Sequence, residues 1–230
     1  KYKLRNRASK GYDGTFMKLR YRIIICVSIL LIALGIILFF NIPRLKYEYS
    51  SSYDGYLVSY AYGDSSEYVI PSNYKGKKVC GFSTRAFYKH KRLEKITFED
   101  SSNIEIIGRL AFAECDNLKE IDLSYVNIIE RGAFNYDYSL NNITLGATII
   151  GGGAFYKCTG LDNIILNNTI NIGSLAFSET NIKEITIPNT CTTIGVDAFK
   201  YCDNLNCINV YGNTLKNNNH LFSYNVNVIG

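Results

Sequence analysis

Apolar residues recur along most of the chain in one frame, with a period in the low twenties. From Ile107 to Leu123 the frame reads IGRLAFAECDNLKEIDL, and it returns from Ile150 to Leu166 and from Ile194 to Val210. Ala-Phe pairs begin at positions 86, 111, 133, 154, 176 and 198. A repeat of this length predicts a solenoid with one short parallel strand per turn, stacked on the strands of neighbouring turns.

Each turn should send several side chains into a common interior. The strand signal Leu-x-x-Ile-x-Ile ends in two apolar residues two positions apart, so both point to the same face. The phenylalanines should form a stacked column: Phe87, Phe112, Phe134, Phe155, Phe177 and Phe199. A second inward column should contain Val79, Ile104, Val126, Ala147, Thr169 and Cys191. Glycines at 108, 151, 173 and 195 indicate a bend where a side chain would clash or φ is positive.

The region before the regular repeats predicts a cap and a spacer. Residues 56–60 alternate with a period of two, Gly63–Ser66 is a turn signal, and residues 68–70 follow as a second strand, so we expect a hairpin. This hairpin would cover the open end of the solenoid, which occupies residues 56–230 with regular repeats over about 78–210. Residues 43–55 are polar and rich in tyrosine and predict a linker.

Residues 23–42 predict a single transmembrane helix. They read IIICVSILLIALGIILFFNI without a charge, and at ~1.5 Å per residue they span ~30 Å, the thickness of a hydrocarbon core. A cleaved signal peptide is the alternative, but the apolar run is long for one and no Ala-x-Ala follows it. Residues 1–22 carry eight Lys or Arg and one acid, which predicts a cytoplasmic basic tail with the repeats outside the cell.

The charge distribution does not favour nucleic-acid binding. The net charge of +5 over 230 residues contains +7 from residues 1–22, so residues 23–230 carry −2. A basic protein surface is what attracts nucleic acid, and the folded part lacks that excess.

Residue types that perform chemistry are present without a catalytic arrangement. The column three positions after each repeat Phe holds Cys115, Cys158 and Cys202 on alternate turns, about 10 Å apart and too far for disulfides. Cys80 and Cys207 fall at polar positions near opposite ends. No metal-ligand spacing occurs, and the run Gly151–Gly153 lies inside a repeat bend rather than before a helix. We therefore expect no enzyme, no cofactor and no metal.

His90 and Cys115 leave one catalytic alternative. They stand one turn apart in the same column, which would allow a Cys–His nucleophile pair. The recurrence of cysteine in this column favours packing instead.

The outward residue of each strand predicts a candidate binding surface. These residues would form a ribbon about 24 Å long at ~4.8 Å steps. Solenoids bind ligands along such extended faces, although threonine is also common on strands that only face water. We define the strand strip as Thr97, Asp122, Thr144, Ile165, Thr186 and Asn209. The tyrosines between 47 and 74 could stack on sugars, or could form part of the cap surface.

The repeat Ile-Gly-x-x-Ala-Phe-x-x-Cys-x-x-Leu-x-x-Ile-x-Ile resembles the BspA-type leucine-rich repeat over about residues 56–210. The resemblance implies a cell-surface or secreted protein that binds other macromolecules, often as an adhesin, and it supplies no fixed binding residue. We expect the ligand to be a protein or a glycan. The alternative is a membrane-tethered scaffold that organises envelope partners.

Overall fold

A computed structural model describes residues 44–210 and 227–229. Within these residues the chain forms strands and one short 3-10 helix, Ser101–Asn103. The strands are β1 (Arg44–Ser50), β2 (Gly55–Tyr62), β3 (Glu67–Ile70), β4 (Asn73–Tyr74), β5 (Lys77–Phe82), β6 (Lys95–Phe98), β7 (Ile106–Ile107), β8 (Ile128–Ile129), β9 (Ile143–Leu145), β10 (Ile149–Ile150), β11 (Ile164–Leu166), β12 (Asn171–Ile172), β13 (Glu184–Ile187), β14 (Thr193–Ile194), β15 (Cys207–Val210) and β16 (Asn227–Ile229).

Most turns contain two strands, so the prediction of one strand per turn is wrong. The first strand of each turn belongs to a long sheet in the order β1-β2-β5-β7-β8-β10-β12-β14. The second strand belongs to one of three short parallel sheets, β3-β6, β9-β11 and β13-β15-β16. The strand that was not predicted is the first strand of each turn. It forms because the two residues before each bend are extended, and their N–H and C=O groups need partners in the next turn. Register joins equivalent residues, as in Ile107 with Ile129 and Ile150 with Ile172.

The predicted cap hairpin is instead the first full turn of the solenoid. Strand β2 pairs in parallel with β5, and β3 pairs in parallel with β6, so β2 and β3 lie in different sheets. The N–H of Ala61 donates to Ala86 O (3.0 Å), as the N–H of Phe87 does to Ala111 O (2.7 Å) one turn later. We number the described turns one to seven. Each turn is marked by the residue of its first strand that is in register with its equivalents in the neighbouring turns, in the order Val58, Phe82, Ile107, Ile129, Ile150, Ile172 and Ile194.

The predicted linker forms strand β1, which covers the edge of the first turn. Strand β1 pairs antiparallel with β2 along its whole length, with an irregularity between Lys46 and Tyr47. Leu45 and Tyr47 are partly buried against the core. The residues fold onto the sheet because these apolar side chains reach the interior and the backbone satisfies the open edge of β2.

The phenylalanine column forms as predicted. All six rings are buried, and neighbouring ring centroids lie 5.2 to 5.5 Å apart with interplanar angles of 16° or less. The second inward column is also buried, and the hydroxyl of Thr169 donates to Ala147 O (2.9 Å), which allows a polar residue at this place. Each turn therefore packs mainly on its two neighbours.

Where glycine follows the first strand, close approach to the previous turn explains it and positive φ does not, although Ser83 and Glu130 occupy the same place in two turns. A Cβ atom added to Gly195 would lie 2.2 Å from Ser174 N of the previous turn. Left-handed backbone occurs instead at two other places in each regular turn, three residues after the end of the first strand and two residues after Phe. Non-glycine residues such as Leu110 (φ 55°) and Glu114 (φ 61°) occupy these places.

The predicted tail (1–22) and transmembrane helix (23–42) lie outside the described residues. Among residues 44–210 and 227–229, no helix has the length and apolar character needed to cross a bilayer.

Candidate binding surfaces

The structure brings the predicted strand strip together in one column. Thr144 stands opposite Ile165, and Thr186 stands opposite Asn209, in parallel register. Thr97 stands opposite Val69 of the first turn. Val69 was not predicted to belong to the strip because the alternating pattern around residues 68–70 also fits a cap hairpin. Alignment of Tyr68-Val69-Ile70 with Ile96-Thr97-Phe98 was the signal that could have found it.

Two apolar side chains of the strip are exposed to solvent. Val69 is 62% exposed and Ile165 is 51% exposed. Thr97, Asp122 and Thr186 are exposed as well, whereas Thr144 and Asn209 are partly covered. An exposed β-branched row along a strand face offers a flat surface that a partner could desolvate.

Asp122 interrupts the ladder behind the strip. Its carboxylate accepts hydrogen bonds from the N–H (3.0 Å) and hydroxyl (2.6 Å) of Ser124, two residues on. Such a local bond competes with strand pairing. Among the described residues, the strand pairing of this turn on that face is reduced to two isolated bridges, from Lys95 to Glu120 and from Leu123 to Leu145.

Charged side chains beside the strip pair between adjacent turns. Lys119 contacts Glu94 at 2.9 Å, and Lys183 contacts Asp162 at 3.0 Å. These pairs are largely exposed, and exposed pairs contribute about 0–1 kcal/mol each. They can therefore exchange for contacts with a partner at little cost.

The tyrosines near the first turn pack mainly on each other. Tyr47 stacks on Tyr74 at 4.1 Å between ring centroids, and Tyr56 meets Tyr74 edge-on at 5.0 Å. Tyr68 is buried, and its hydroxyl donates to Tyr62 O (2.9 Å). These rings use their faces in the fold, which favours a structural role in the first turn over sugar stacking.

His90 and Cys115 do not form a hydrogen-bonded pair. His90 Nε2 lies 2.9 Å from the Tyr68 hydroxyl, whereas the Cys115 thiol donates to Phe87 O (3.1 Å). Burial raises the pKa of Cys115 well above its ordinary value and lowers that of His90. A nucleophilic cysteine needs a lowered pKa, so this environment favours packing.

The cysteines behave as small buried residues. The thiols of Cys158 and Cys202 donate to the phenylalanine carbonyl of the preceding turn, both at 3.0 Å, as Cys115 does. Cys80, which the sequence placed at a polar position, is fully buried. Among the described residues, Cys80, Cys115, Cys158, Cys202 and Cys207 are free thiols, and no cluster of His, Cys, Asp or Glu there is arranged to hold a metal ion.

A family model now accounts for this repeat architecture. The model of the BspA type leucine-rich repeat region matches in six copies, over residues 80–206 and 127–228. The chain belongs to this family. The match covers turns two to seven, and the first turn, where Ala61 replaces the repeat phenylalanine, lies before it.

Two crystal structures show the same fold. A leucine-rich cell surface protein from Faecalibacterium prausnitzii is 23% identical with a TM-score of 0.60, over 74% of this chain and 55% of that chain. A leucine-rich repeat protein from T. pallidum is 24% identical with a TM-score of 0.53, over 72% of this chain and 68% of that chain. This chain thus spans about half the length of the Faecalibacterium protein. No curated protein matches the sequence significantly.

Proposed function

We propose that this protein is a membrane-anchored leucine-rich repeat protein of the cell surface. It binds a macromolecule through the strand strip extended by Val69, and it has no enzymatic activity. The observation that carries the proposal is the register that places Val69, Thr97, Thr144 and Ile165 along one face with both aliphatic residues exposed. Seven positions at ~4.8 Å steps give a strip of about 29 Å.

The strip suits a protein partner better than a small molecule. It is a row of side chains on strands and not a concave pocket of the kind that encloses small ligands. Its β-branched residues have few rotamers to lose on binding, so little entropy opposes an interface. The cell-surface description of the Faecalibacterium protein, which shares the fold, supports an external location.

The anchor completes the proposed topology. Residues 23–42 would cross the membrane, and residues 1–22 would stay in the cytoplasm because their basic side chains resist translocation. Strand β1 begins at Arg44, two residues after the proposed membrane segment ends in the sequence.

A membrane-tethered scaffold that self-associates is the second candidate. Strand β1 pairs only with β2 among the described residues, so its outer edge could accept a strand from another copy. Exposed Lys46 and Glu48 and the irregularity beside Tyr47 oppose such pairing, because charges and bulges protect edges. We therefore rank the scaffold second.

Photo-crosslinking on intact cells tests the binding surface. A photoreactive phenylalanine analogue would replace Ile165 in one variant and Val196 in another. Val196 is 68% exposed and lies outside the strip, so it controls for chance contact. We expect a discrete adduct from position 165 only, and Ile165→Glu should reduce cell attachment at least tenfold while Val196→Glu does not. Equal adducts from both positions, or none from 165, would refute the strip.

Protease digestion tests the topology separately. External protease on intact cells should remove a tag at residue 230 and leave a tag at residue 1. If both tags survive on intact cells but the C-terminal tag is lost after lysis, the repeats are internal and the surface proposal is wrong. Light scattering of the detergent-solubilised protein tests the scaffold proposal. A stable oligomer that is lost when residues of β1 are changed would favour the scaffold.

A further inference from the structure

A hollow of about 600 Å³ lies on the surface between turns three and six. We call it the glycine hollow, and its lining includes Arg109, Arg131, Gly132, Asn135, Gly153 and Tyr156. Its residues follow the first strand of each turn, so it occupies a different part of the repeat from the strand strip. Its volume is in the range of small-ligand sites.

Missing side chains create the hollow. The place just before Ala-Phe is left-handed in every regular turn, and turns three and six carry Leu110 and Leu175 there. Turns four and five carry Gly132 and Gly153 instead, with φ of 66° and 62°. The backbone does not require these glycines, because leucine adopts the same conformation at φ of 55° and 59°. The two leucines, three turns apart, bound a bare stretch of about 14 Å.

The rim of the hollow is cationic. Arg109 and Arg131 are exposed, and neither forms an ion pair with any residue that the structure describes. Among the described residues, no acidic side chain lines the hollow. The nearby Glu130 carboxylate accepts the backbone N–H of Arg109 (2.7 Å). A guanidinium group offers a planar fork of donors that fits carboxylates and other oxyanions.

Tyr156 gives the hollow a rigid aromatic side. Its hydroxyl donates to Glu179 (2.7 Å), and the ammonium of Lys157 lies 5.3 Å from its ring centroid. Its ring meets Tyr136 edge-on at 5.6 Å. The hydrogen bond to Glu179 is the main cause that raises the pKa of Tyr156, so the phenol stays neutral at physiological pH. A fixed amphipathic ring beside an amide, Asn135, suits a ligand with both apolar faces and hydroxyl groups.

The backbone of the hollow is already hydrogen-bonded between turns. The N–H of Gly132 donates to Gly152 O (3.1 Å), and the N–H of Gly153 donates to Ser174 O (2.8 Å). An extended peptide that binds by strand addition needs free backbone groups at an edge. The N–H groups of Gly132 and Gly153 are already used between turns, so recognition would rest mainly on Arg, Asn and Tyr side chains over bare glycine.

We propose that the glycine hollow binds an oligosaccharide that carries carboxylate groups. The two arginines would take the carboxylates, Asn135 would bond a hydroxyl, and a sugar ring would lie against Gly153 and the Tyr156 ring. The proposal adds a ligand class to the proposed surface function but does not use the strand strip. Oligosaccharide binding by the purified protein does not depend on where the protein lies in the cell. The hollow proposal and the proposed surface function can therefore fail independently of each other.

Calorimetry on the detergent-solubilised full chain tests the site. The probes are tetragalacturonate, a hyaluronan tetrasaccharide and sialyllactose, each compared with its methyl ester. We expect at least one acidic probe to bind, its ester to bind at least tenfold more weakly, and affinity to fall with added salt. Arg131→Gln should weaken binding at least tenfold, whereas Arg92→Gln, outside the hollow, should not.

A second variant tests the shape of the hollow. Gly153→Leu introduces the leucine that turns three and six carry at this place, and its Cβ would meet only Tyr156 Cβ at 3.7 Å. We expect this variant to fold and to lose binding, whereas Ile165→Glu on the strip should bind normally. Failure of all three acidic probes, equal binding of the esters, or tighter Arg131-dependent binding of hexaglutamate would each overturn the proposal. If Gly153→Leu does not fold, the Arg131→Gln comparison decides.

Discussion

The side-chain carboxyl group of Asp137 accepts a hydrogen bond from the backbone N–H of Cys115, with 2.7 Å between Oδ1 and the nitrogen. Asp137 stands in turn four at the place that Cys115 has in turn three, and both are fully buried. The second oxygen of Asp137, Oδ2, has no hydrogen-bond partner among the described residues. Burial is the main cause that raises the pKa of Asp137 well above its ordinary value.

This raised pKa predicts that stability falls as pH rises. The native state holds the proton of Asp137 where the unfolded chain, with a pKa of about 3.9, has released it. The added stability is complete below the unfolded pKa and is lost as pH rises to the native pKa, by about 1.4 kcal/mol per pH unit in that window. Asp137→Asn keeps the acceptor for Cys115 and should abolish this slope.

Urea unfolding of both proteins between pH 4 and pH 8 measures the effect. Asp116→Asn, at a more exposed neighbouring site, is the matched control and should keep the wild-type slope. Parallel stability curves for Asp137→Asn and the wild type would show that Asp137 does not titrate in this way.

The phenylalanine column predicts a large loss of stability when its centre is removed. Phe155 stacks on Phe134 at 5.2 Å and on Phe177 at 5.4 Å. Phe155→Ala should lower the free energy of unfolding by about 3–5 kcal/mol, because it removes a buried ring and leaves a cavity. Phe155→Leu should cost less, since it fills most of the space. A loss below 1 kcal/mol in urea unfolding would contradict the packing described.

The close approach at Gly195 predicts a cost for a single methyl group. A Cβ atom there would lie 2.2 Å from Ser174 N, so Gly195→Ala must separate turns six and seven. We expect a loss of about 1–3 kcal/mol, typical of overpacking. Val196→Ala, at the exposed neighbouring residue, should stay within about 0.5 kcal/mol of the wild type in thermal unfolding. Equal melting temperatures for the two variants would refute the close contact.

Cysteine reactivity should follow burial. Cys115 and Cys158 are fully buried, and burial raises the pKa of each thiol well above its ordinary value. Cys207 is only partly buried. At pH 8, iodoacetamide should modify Cys207 at least about tenfold faster than the other two, because it reacts with accessible thiolate. Peptide mass mapping gives the rate at each site, and equal rates in the native protein would contradict the burial described.

The regular turns could be predicted because their interior is repeated residue by residue. The phenylalanine column, from Phe87 to Phe199, follows from spacing alone, since each turn packs on the next. The first turn escaped prediction because Ala61 replaces the repeat phenylalanine, and alternating residues there fit a hairpin equally well. Residues 44–50 escaped because only pairing with β2 shows that Leu45 and Tyr47 reach the core.

The candidate surfaces divide in the same way. The strand strip was predicted because side chains alternate along a strand, whatever its partners. The glycine hollow was not predicted from the sequence. It depends on which residues occupy one position in four consecutive turns, namely Leu110, Gly132, Gly153 and Leu175. The run Gly151–Gly153 was correctly placed in a bend, but its empty space becomes a site only beside Arg131 and Tyr156.

The period, the inward columns and the outward strip could be inferred from the order of residues, because these depend on local geometry and on one residue pattern repeated along the chain. The folded structure was needed to show which extended segments pair, why Gly195 must lack a side chain, and where neighbouring turns leave space. Those features depend on distances between turns, which the order of residues does not contain.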